Sequence, residues 1–153
     1  MASSKRTVNK VKNDSKEGCW LYEEKCLEKE KEGYAGFVYI VTNKIDGKIY
    51  IGKKQFTHRS KKALSKKARV GTRKRVEVKQ VDSGWKNYWG SSKSLLEDVN
   101  KLGKENFERR ILHFCKSKSE LSYYELFFQV QYQVLFVPSY NGWISCKIYK
   151  NKL

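Results

Sequence analysis

Several residue types are scarce in this chain of 153 residues. It contains one proline, one methionine, two histidines and four cysteines. No stretch approaches the roughly 18 consecutive apolar residues of a transmembrane helix, and residues 1–12 have no apolar centre of the kind that a secretory signal carries. These absences predict a protein with no membrane partner, and the expected location is the cytoplasm, or the host cytoplasm if a phage encodes the chain.

The cysteines and histidines do not have the spacing of zinc-finger ligands. No two cysteines form a C-x-x-C pair, and the two histidines are far apart. We therefore expect reduced thiols, with a structural metal site at Cys19 and Cys26 as the alternative.

Acidic residues are also scarce, since 33 Lys and Arg face 16 Asp and Glu, for a net charge of +17. Such a surplus favours a polyanionic partner, and nucleic acid is the commonest one. An acidic membrane surface would instead require a basic helix with a clear apolar face, which the most basic stretch lacks. The chain is 39% hydrophobic and 14% aromatic, enough for one folded domain with extensions.

The positive charge is concentrated between Lys53 and Gln80, where twelve basic residues accompany one acid, Glu77. We interpret this window as a grip on the DNA backbone, because phosphate contacts supply affinity and little sequence information. The predicted DNA-binding residues are Lys53, Lys54, Lys61, Lys62, Lys66, Lys67, Arg69, Arg73, Lys74 and Arg75. Trp85, Tyr88 and Trp89 follow the window, and they either stack on bases or form a small satellite core.

A β-hairpin is predicted from Phe37 to Gly52. Its first strand is rich in β-branched and aromatic residues, and Asp46-Gly47 is a strong turn signal before the second strand. The two-residue period of a strand places alternate side chains on one face. One face of the first strand holds Phe37, Tyr39 and Val41, and one face of the second holds Ile49 and Ile51.

The other elements are predicted from capping and periodicity. Residues 1–16 are expected to form a basic arm and residues 19–32 a charged helix, together an N-terminal region at 1–33. The domain at 34–153 carries a basic insertion at about 53–90 that begins as a helix. Further predictions are a helix at 92–102, a strand at 106–115, and a helix from a capping box at Ser117 and Glu120 to about Phe136, ended by Pro138. The fold class is thus α+β, a small three-stranded antiparallel sheet flanked by helices in the order β-β-α-α-β-α.

The hairpin and the elements after it resemble the GIY-YIG endonucleases. The second strand ends Tyr50-Ile51-Gly52, and Tyr39 lies eleven residues before Tyr50 in Phe37-Val38-Tyr39, which stands for Gly-Ile-Tyr and keeps only its tyrosine. The resemblance covers roughly residues 36–142, through Ser91-Ser92, the helix to Gly103, Asn106-Phe107-Glu108, Glu125 and Asn141. The long form, with its basic segment, looks most like free-standing phage-type members.

The resemblance implies a role for each matching residue. Tyr39 would be the general base or orient water, and Tyr50 would orient water or contact phosphate. Arg59 would clamp a phosphate, with Arg73 and Arg75 as rivals, and the neighbouring His58 is a further possible acid. Glu125 would bind the metal, and Asn141 would tie the active-site loop to the helix of Glu125. For both tyrosines the alternative is an ordinary place in the core.

The chemistry of phosphodiester hydrolysis favours the same residues. It needs an activated water and neutralisation of the phosphoryl oxygens. Glu125 is the only acid between Leu121 and Leu153, and apolar surroundings make an unpaired carboxylate costly. A hard cation, Mg²⁺ with Mn²⁺ as a substitute, accepts one carboxylate together with water and substrate phosphate. Lysines near Tyr39 are expected to lower its pKa.

These features predict a metal-dependent endonuclease that hydrolyses double-stranded DNA, of a homing type or for phage DNA processing. The alternatives are a non-catalytic nucleic-acid-binding protein on the same scaffold, and an RNA-directed or structure-specific repair nuclease. The oligomeric state, monomer or homodimer, and the DNA target are left open by the sequence.

Overall fold

The fold is α+β, as predicted. The computed structural model of the chain describes residues 18–145, 147, 148 and 150–153, so the basic arm predicted at 1–16 lies outside the described residues. The elements in chain order are β1 (Trp20–Tyr22), β2 (Lys25–Cys26), β3 (Gly36–Asn43), β4 (Ile49–Gln55), β5 (Thr57–Ala63), β6 (Val76–Asp82), α1 (Lys93–Leu102), β7 (Phe107–Cys115) and α2 (Lys118–Gln131).

The main sheet has five strands in the order β2-β1-β7-β3-β4, so the prediction of three strands is wrong in number. The three predicted strands form its antiparallel part, with β3 between β4 and β7. β1 adds to the far side of β7 in parallel, and β2 pairs antiparallel with β1. β4 is therefore one edge of the sheet.

The helix predicted at 19–32 is also wrong, because this segment supplies β1 and β2. Trp20, 1% exposed, lies in the core, where its indole N–H donates to the carbonyl of Trp85 at 2.7 Å. A disulfide joins Cys19 to Cys26, so the expectation of reduced thiols does not hold for these two, whereas Cys115 is free and buried. Packing of one large aromatic side chain has outweighed the helical charge pattern of a short segment.

The hairpin of β3 and β4 forms as predicted. Gly47 adopts φ +74°, and the Asp46 carboxylate accepts from the backbone N–H of Lys48 at 2.9 Å. Strand alternation sorts the side chains between two cores on the two faces of the sheet. One core includes Phe37, Tyr39, Val41 and Tyr50, and the other, beneath α2, includes Val38, Ile40 and Ile51.

Both predicted helix starts are confirmed by their caps. The hydroxyl of Ser92 accepts from the N–H of Leu95, and that of Ser117 accepts from the N–H of Glu120. The second helix ends at Gln131, earlier than the predicted Phe136. No helix in the described part of the chain is long and apolar enough to cross a membrane.

The basic window does not begin as a helix, which corrects a further prediction. β4 continues to Gln55, and after Phe56 the chain forms a two-stranded antiparallel sheet of β5 and β6, here called the basic ribbon (residues 57–82). Lys, Arg and Ala favour helices intrinsically, but strand formation depends on a pairing partner distant in sequence. Arg59 therefore lies on β5 and not on a helix.

The aromatic residues after the ribbon belong to the core and not to a free surface. Trp85 and Trp89 are 1% and 7% exposed. Arg109 lies between the rings of Trp20 and Trp89, 4.4 and 4.3 Å from their centroids, and donates to the carbonyls of Tyr88, Lys86 and Gly18. Burial lowers the pKa of this guanidinium to about 10. Arg109 thus holds the segment that leads to Ser91 and α1.

Candidate active site

A cavity of about 710 Å³ lies beside the edge strand β4. Its walls are β4, the start of α1, one stripe of α2 and the residues 140–143, 145, 147 and 148. Lys93 and Lys147 add positive charge to the lining. Among the described residues of the lining, Glu125 is the only acid. The lining residues used below are Tyr50, Lys53, Ser91, Ser122, Glu125 and Gln129.

Glu125 and Lys53 form an ion pair on this wall. The Lys53 ammonium lies 2.8 Å from Glu125 Oε2 and donates to the hydroxyl of Ser122 at 3.0 Å. Lys53 and Ile51 share one face of β4 because they are two residues apart, and that face packs beneath α2. The side chains of Lys53 and Glu125 are 39% and 21% exposed, so a ligand in the cavity has access to both groups.

Tyr50 reaches the cavity from the opposite face of β4. Its hydroxyl shares a hydrogen bond of 2.9 Å with the hydroxyl of Ser91, the residue before the N-cap of α1. Most of the ring is buried, with 8% of the residue exposed. The arrangement fixes one polar atom at the cavity wall and anchors the ring in the core.

Tyr39 lies behind Tyr50, and their ring centroids are 6.1 Å apart. Tyr39 is fully buried, and within the described chain its hydroxyl makes no hydrogen bond of normal geometry, although the side chain of Tyr88 lies close to it. Burial, followed by the proximity of Tyr50, raises the pKa of Tyr39 well above its usual value. The expectation that lysines lower this pKa is therefore wrong, and Tyr39 is a neutral phenol at physiological pH.

Gly52 allows the two tyrosines to lie this close to β4. A Cβ at this position would lie 2.7 Å from the hydroxyl oxygen of Tyr39 and 2.9 Å from Cε1 of Tyr50. Both distances are shorter than a carbon side chain tolerates. The glycine of Tyr-Ile-Gly is thus required by packing.

Asn141 holds the segment after α2 against the edge of the sheet. Its Oδ1 accepts from the N–H of Ile51 at 2.9 Å, and its Nδ2 donates to the carbonyl of Ile51 at 2.8 Å. Gln129, on the same helix as Glu125, also donates to this carbonyl at 3.3 Å. The predicted tie between loop and helix is therefore indirect, through a shared acceptor on β4.

Tyr140 attaches the same segment to α1. Its hydroxyl donates to the Asp98 carboxylate at 2.8 Å and accepts from Asn43 at 3.0 Å. The hydroxyl of Ser92 donates to the Tyr140 carbonyl at 3.2 Å. The cavity wall thus has hydrogen bonds to three elements and does not depend on one loop.

Arg59 and His58 do not line this cavity. Both lie in a separate cleft of about 570 Å³ between the base of the ribbon and the start of α2, with Gln80 and Lys118. Arg73 and Arg75 lie farther along the chain, in the ribbon's loop, where both are exposed. The structure brings together Tyr50, Lys53, Glu125 and Asn141, with Tyr39 behind them, and it places the predicted arginine elsewhere.

The predicted DNA-binding residues divide into three places. Lys53 faces the cavity, and Lys54 turns to the opposite face, where its ammonium donates to the carbonyl of Ser83 at 3.0 Å and lies 4.1 Å from the ring centroid of Tyr88. Burial lowers the pKa of Lys54. Exposed positions on the basic ribbon hold Lys61, Lys62, Lys66, Lys67, Arg69, Arg73, Lys74 and Arg75.

Some polar residues of the cavity were not identified as site residues from the sequence. Ser122 and Gln129 lie three residues before and four residues after Glu125, a spacing that puts all three on one face of a helix. That spacing was a usable signal. Ser91, in contrast, meets Tyr50 only through the tertiary fold, and no local pattern indicates the contact.

The donor set fits a lightly ligated hard cation. Within the described residues no cluster of three or more His, Cys, Asp or Glu could hold a metal ion. Mg²⁺ binds through one or two carboxylates and keeps waters and substrate phosphate oxygens as its other ligands. A partly exposed Glu125 on an open cavity meets this requirement, and its Oε1 is outside the contact with Lys53.

Comparison with known proteins bears on the same region. A family model described as "endonuclease segE, GIY-YIG domain" matches residues 20–152. No curated protein and no solved structure gives a significant match. The matched range includes the two-tyrosine hairpin, the cavity and the basic ribbon. The chain therefore belongs to the GIY-YIG endonuclease family, in its SegE-type group.

Proposed function

We propose that the protein is a Mg²⁺-dependent endonuclease that hydrolyses phosphodiester bonds of double-stranded DNA in the cavity beside β4. The observation that carries the proposal is the single carboxylate of Glu125 on a wall that also holds Lys53 and the hydroxyl of Tyr50. A carboxylate for the metal, a cation for phosphate and a hydroxyl for water are the parts that the reaction needs.

Glu125 would hold the metal through a carboxylate oxygen. The bound cation would supply Lewis-acid stabilisation of the phosphoryl oxygens and lower the pKa of a ligated water. Lys53 exchanges its contact with Glu125 for a contact with the entering phosphate, because the two anions compete for one ammonium. Its partial exposure leaves room for this movement.

Tyr50 orients the attacking water through a hydroxyl that Ser91 holds in place. The water oxygen joins the phosphorus and releases a proton to solvent, the bond to the departing sugar oxygen breaks, and that oxygen takes a proton from solvent, which leaves a phosphomonoester and a free hydroxyl. Tyr39 stays neutral, since its pKa is raised, and supports the ring of Tyr50 from behind. Asn141 acts as a positioning residue through Ile51.

Arg59 and His58 contact DNA outside the reacting phosphate, because they line the separate cleft. Lys53 takes the role in the cavity that the sequence pattern assigned to an arginine. We further propose Mn²⁺ as a substitute metal, action in the cytoplasm, and a homing-type or phage DNA-processing role.

The test is incubation of supercoiled plasmid with the protein and Mg²⁺, beside Glu125→Gln and a chelated control. We expect nicked or linear DNA with the wild type, and roughly a hundredfold to a thousandfold slower conversion with the variant. The variant should still bind DNA, because the basic ribbon is unchanged. Binding without conversion by the wild type would instead support a non-catalytic DNA-binding protein. Equal conversion by the variant would remove Glu125 from the mechanism.

A further inference from the structure

The basic ribbon presents both of its faces to solvent. β5 and β6 pair with each other, and every residue of the two strands except the half-buried Thr57 is exposed. A lone two-stranded sheet is only marginally stable in water. The domain therefore projects a long polar element that its own core does not need.

The size and charge of the ribbon suit a DNA groove. Each strand has seven residues, about 24 Å at roughly 3.4 Å per residue. Residues 57–82 carry ten Lys and Arg against two acids. The major groove of B-DNA, about 12 Å wide, admits a two-stranded ribbon, whereas the minor groove, about 6 Å wide, does not.

The two faces of the ribbon differ in chemistry. The strand register places Arg59 opposite Gln80 and Lys61 opposite Val78 on one face, here called the reading face. The hydroxyl of Thr57 donates to Oε1 of Gln80 at 2.8 Å and fixes the orientation of the amide. Arginine pairs with guanine through two bonds, glutamine with adenine through two bonds, and a methyl group contacts that of thymine.

The opposite face has neither an arginine nor an amide side chain. It places His58 opposite Val81, Ser60 opposite Lys79 and Lys62 opposite Glu77, and each face carries one acid, Glu77 here and Asp82 on the reading face. Lys79 also lies 3.4 Å from the Glu77 carboxylate. This face suits phosphate contact or solvent better than a base edge.

The reading face continues toward the catalytic cavity. Arg59 and Gln80 line the cleft that Gln55 of β4 and Lys118 of α2 also line. Lys118 and Glu125 are seven residues apart on α2, two helical turns, and so lie on one stripe of the helix. A duplex on the ribbon can therefore follow α2 from the cleft to the cavity.

Strand β4 also connects the cleft with the cavity. Lys53 lines the cavity and Gln55, two residues on, lines the cleft, so both side chains are on one face of the strand. Two independent elements thus connect the base of the ribbon with the proposed site of hydrolysis.

We propose that the basic ribbon enters the major groove of double-stranded DNA and that its reading face, through Arg59 and Gln80, selects the bases beside the cut. The proposal rests on the proposed function for the nature of the substrate. The two side chains predict a guanine at the position that contacts Arg59 and an adenine at the position that contacts Gln80. The cations of the ribbon's loop hold the flanking phosphates.

The experiment uses Glu125→Ala protein, which separates recognition from cutting. It is mixed with 40-base-pair duplexes of randomised sequence, and the bound DNA is sequenced. One pair of variants removes the reading pair (Arg59→Ala with Gln80→Ala). The matched pair removes the neighbouring cross-strand pair of the opposite face (Ser60→Ala with Lys79→Ala). Each pair loses one cation and one polar group from exposed positions, and thermal melting checks that both remain folded.

We expect the parent protein to enrich a short motif, and the reading-face pair to lose about tenfold or more of its preference at adjacent positions. The opposite-face pair should keep the motif. Its loss of overall affinity should be similar to that of the reading-face pair, because each pair removes one cation. Arg59→Lys should keep the salt dependence of binding and lose the guanine preference, since it keeps the charge without the fork.

Duplexes with 7-deazaguanine and 7-deazaadenine lack the purine N7 in the major groove and keep base pairing. We expect weaker binding at the selected positions. The proposal would be overturned by any of three results: no enriched motif, an equal loss of base preference in the opposite-face pair, or unchanged binding to the 7-deaza duplexes. If the wild type binds a motif but cuts no DNA, the nuclease function is refuted and the role of the ribbon stands. If the wild type cuts DNA without preferring a motif, the role of the ribbon is refuted and the nuclease function stands.

Discussion

The side chain of Asn141 pairs with both backbone groups of Ile51, as a neighbouring strand would, with bonds of 2.9 and 2.8 Å. Ile49 and Ser139 form a parallel bridge, in which the N–H of Tyr140 donates to the carbonyl of Ile49 at 2.7 Å, and the Asn141 amide continues this pairing to Ile51. The cavity wall is thus attached to the edge of the sheet.

Asn141→Asp should loosen this attachment. The carboxylate keeps the acceptor for the Ile51 N–H but faces the Ile51 carbonyl without a donor. We expect a loss of about 1–3 kcal/mol in the free energy of unfolding, measured by urea denaturation, together with slower DNA cleavage. Asn87→Asp makes the same change at an exposed position outside the cavity and is the control, which should match the wild type. Unchanged stability of the aspartate variant would contradict the pairing.

Lys53→Met should slow DNA cleavage roughly a hundredfold to a thousandfold, the usual effect of removing one electrostatic contact to a transition state. Folding should be preserved, because Lys53 is 39% exposed. Lys44→Met removes the same charge from an exposed turn and is the matched control. The readout is the single-turnover rate on plasmid DNA. Equal rates for the two variants would show that Lys53 acts only through bulk charge.

Tyr39→Phe should leave stability at neutral pH unchanged or raise it by about 1 kcal/mol, because the removed hydroxyl is buried without a partner in the described chain. Tyr50→Phe should instead slow cleavage, since it removes a hydroxyl at the cavity wall. If Tyr39 were the base, Tyr39→Phe would be the more damaging variant.

The pH dependence of stability follows from the same residue. A pKa raised on folding means that Tyr39 contributes its full stability below the ordinary tyrosine pKa of about 10 and loses it as the pH rises through the folded-state value. Tyr140, with a pKa of about 12, acts in the same direction. Unfolding at alkaline pH, followed by tyrosinate absorbance, should therefore shift to higher pH in Tyr39→Phe. An identical profile would count against the burial of Tyr39.

Gly52→Ala should displace both tyrosines and cost about 1–3 kcal/mol, because the added methyl group has no free space. Gly142→Ala is the control, since its Cβ would meet nothing within 4 Å. Combining Gly52→Ala with Tyr39→Phe removes the 2.7 Å contact and should recover part of the loss in a double-mutant cycle. Strict additivity of the two changes would contradict a direct contact.

The elements with local signals could be predicted from the sequence. The Asp46-Gly47 turn, the caps at Ser92 and Ser117, and the alternation of side chains on β3 each depend on neighbouring residues. The two cores on opposite faces of the sheet followed from that alternation.

The remaining features depend on pairing between distant residues. β1 joins β7 across more than eighty residues, and β5 finds its partner only after the loop of the ribbon. A lysine-rich segment without an apolar period resembles a helix in composition, so the ribbon was missed and Arg59 was placed beside the tyrosines. The two-residue period of a strand predicts that Lys53 and Ile51 share one face of β4. The contact of Lys53 with Glu125 could not be predicted, because it depends on how α2 packs on β4.

The ribbon leaves and rejoins the domain at adjacent points. The N–H of Ser83 donates to the carbonyl of Phe56 at 3.0 Å, and the N–H of Phe56 donates to Ala35 at 3.0 Å, so a closed neck of backbone bonds precedes the first ribbon residue. Phe56 itself is 2% exposed and seals the core beneath. Because the two ends of the ribbon lie this close together, a ribbon of another length or sequence can be joined at the same two points while β4, α2 and the cavity beside them stay unchanged.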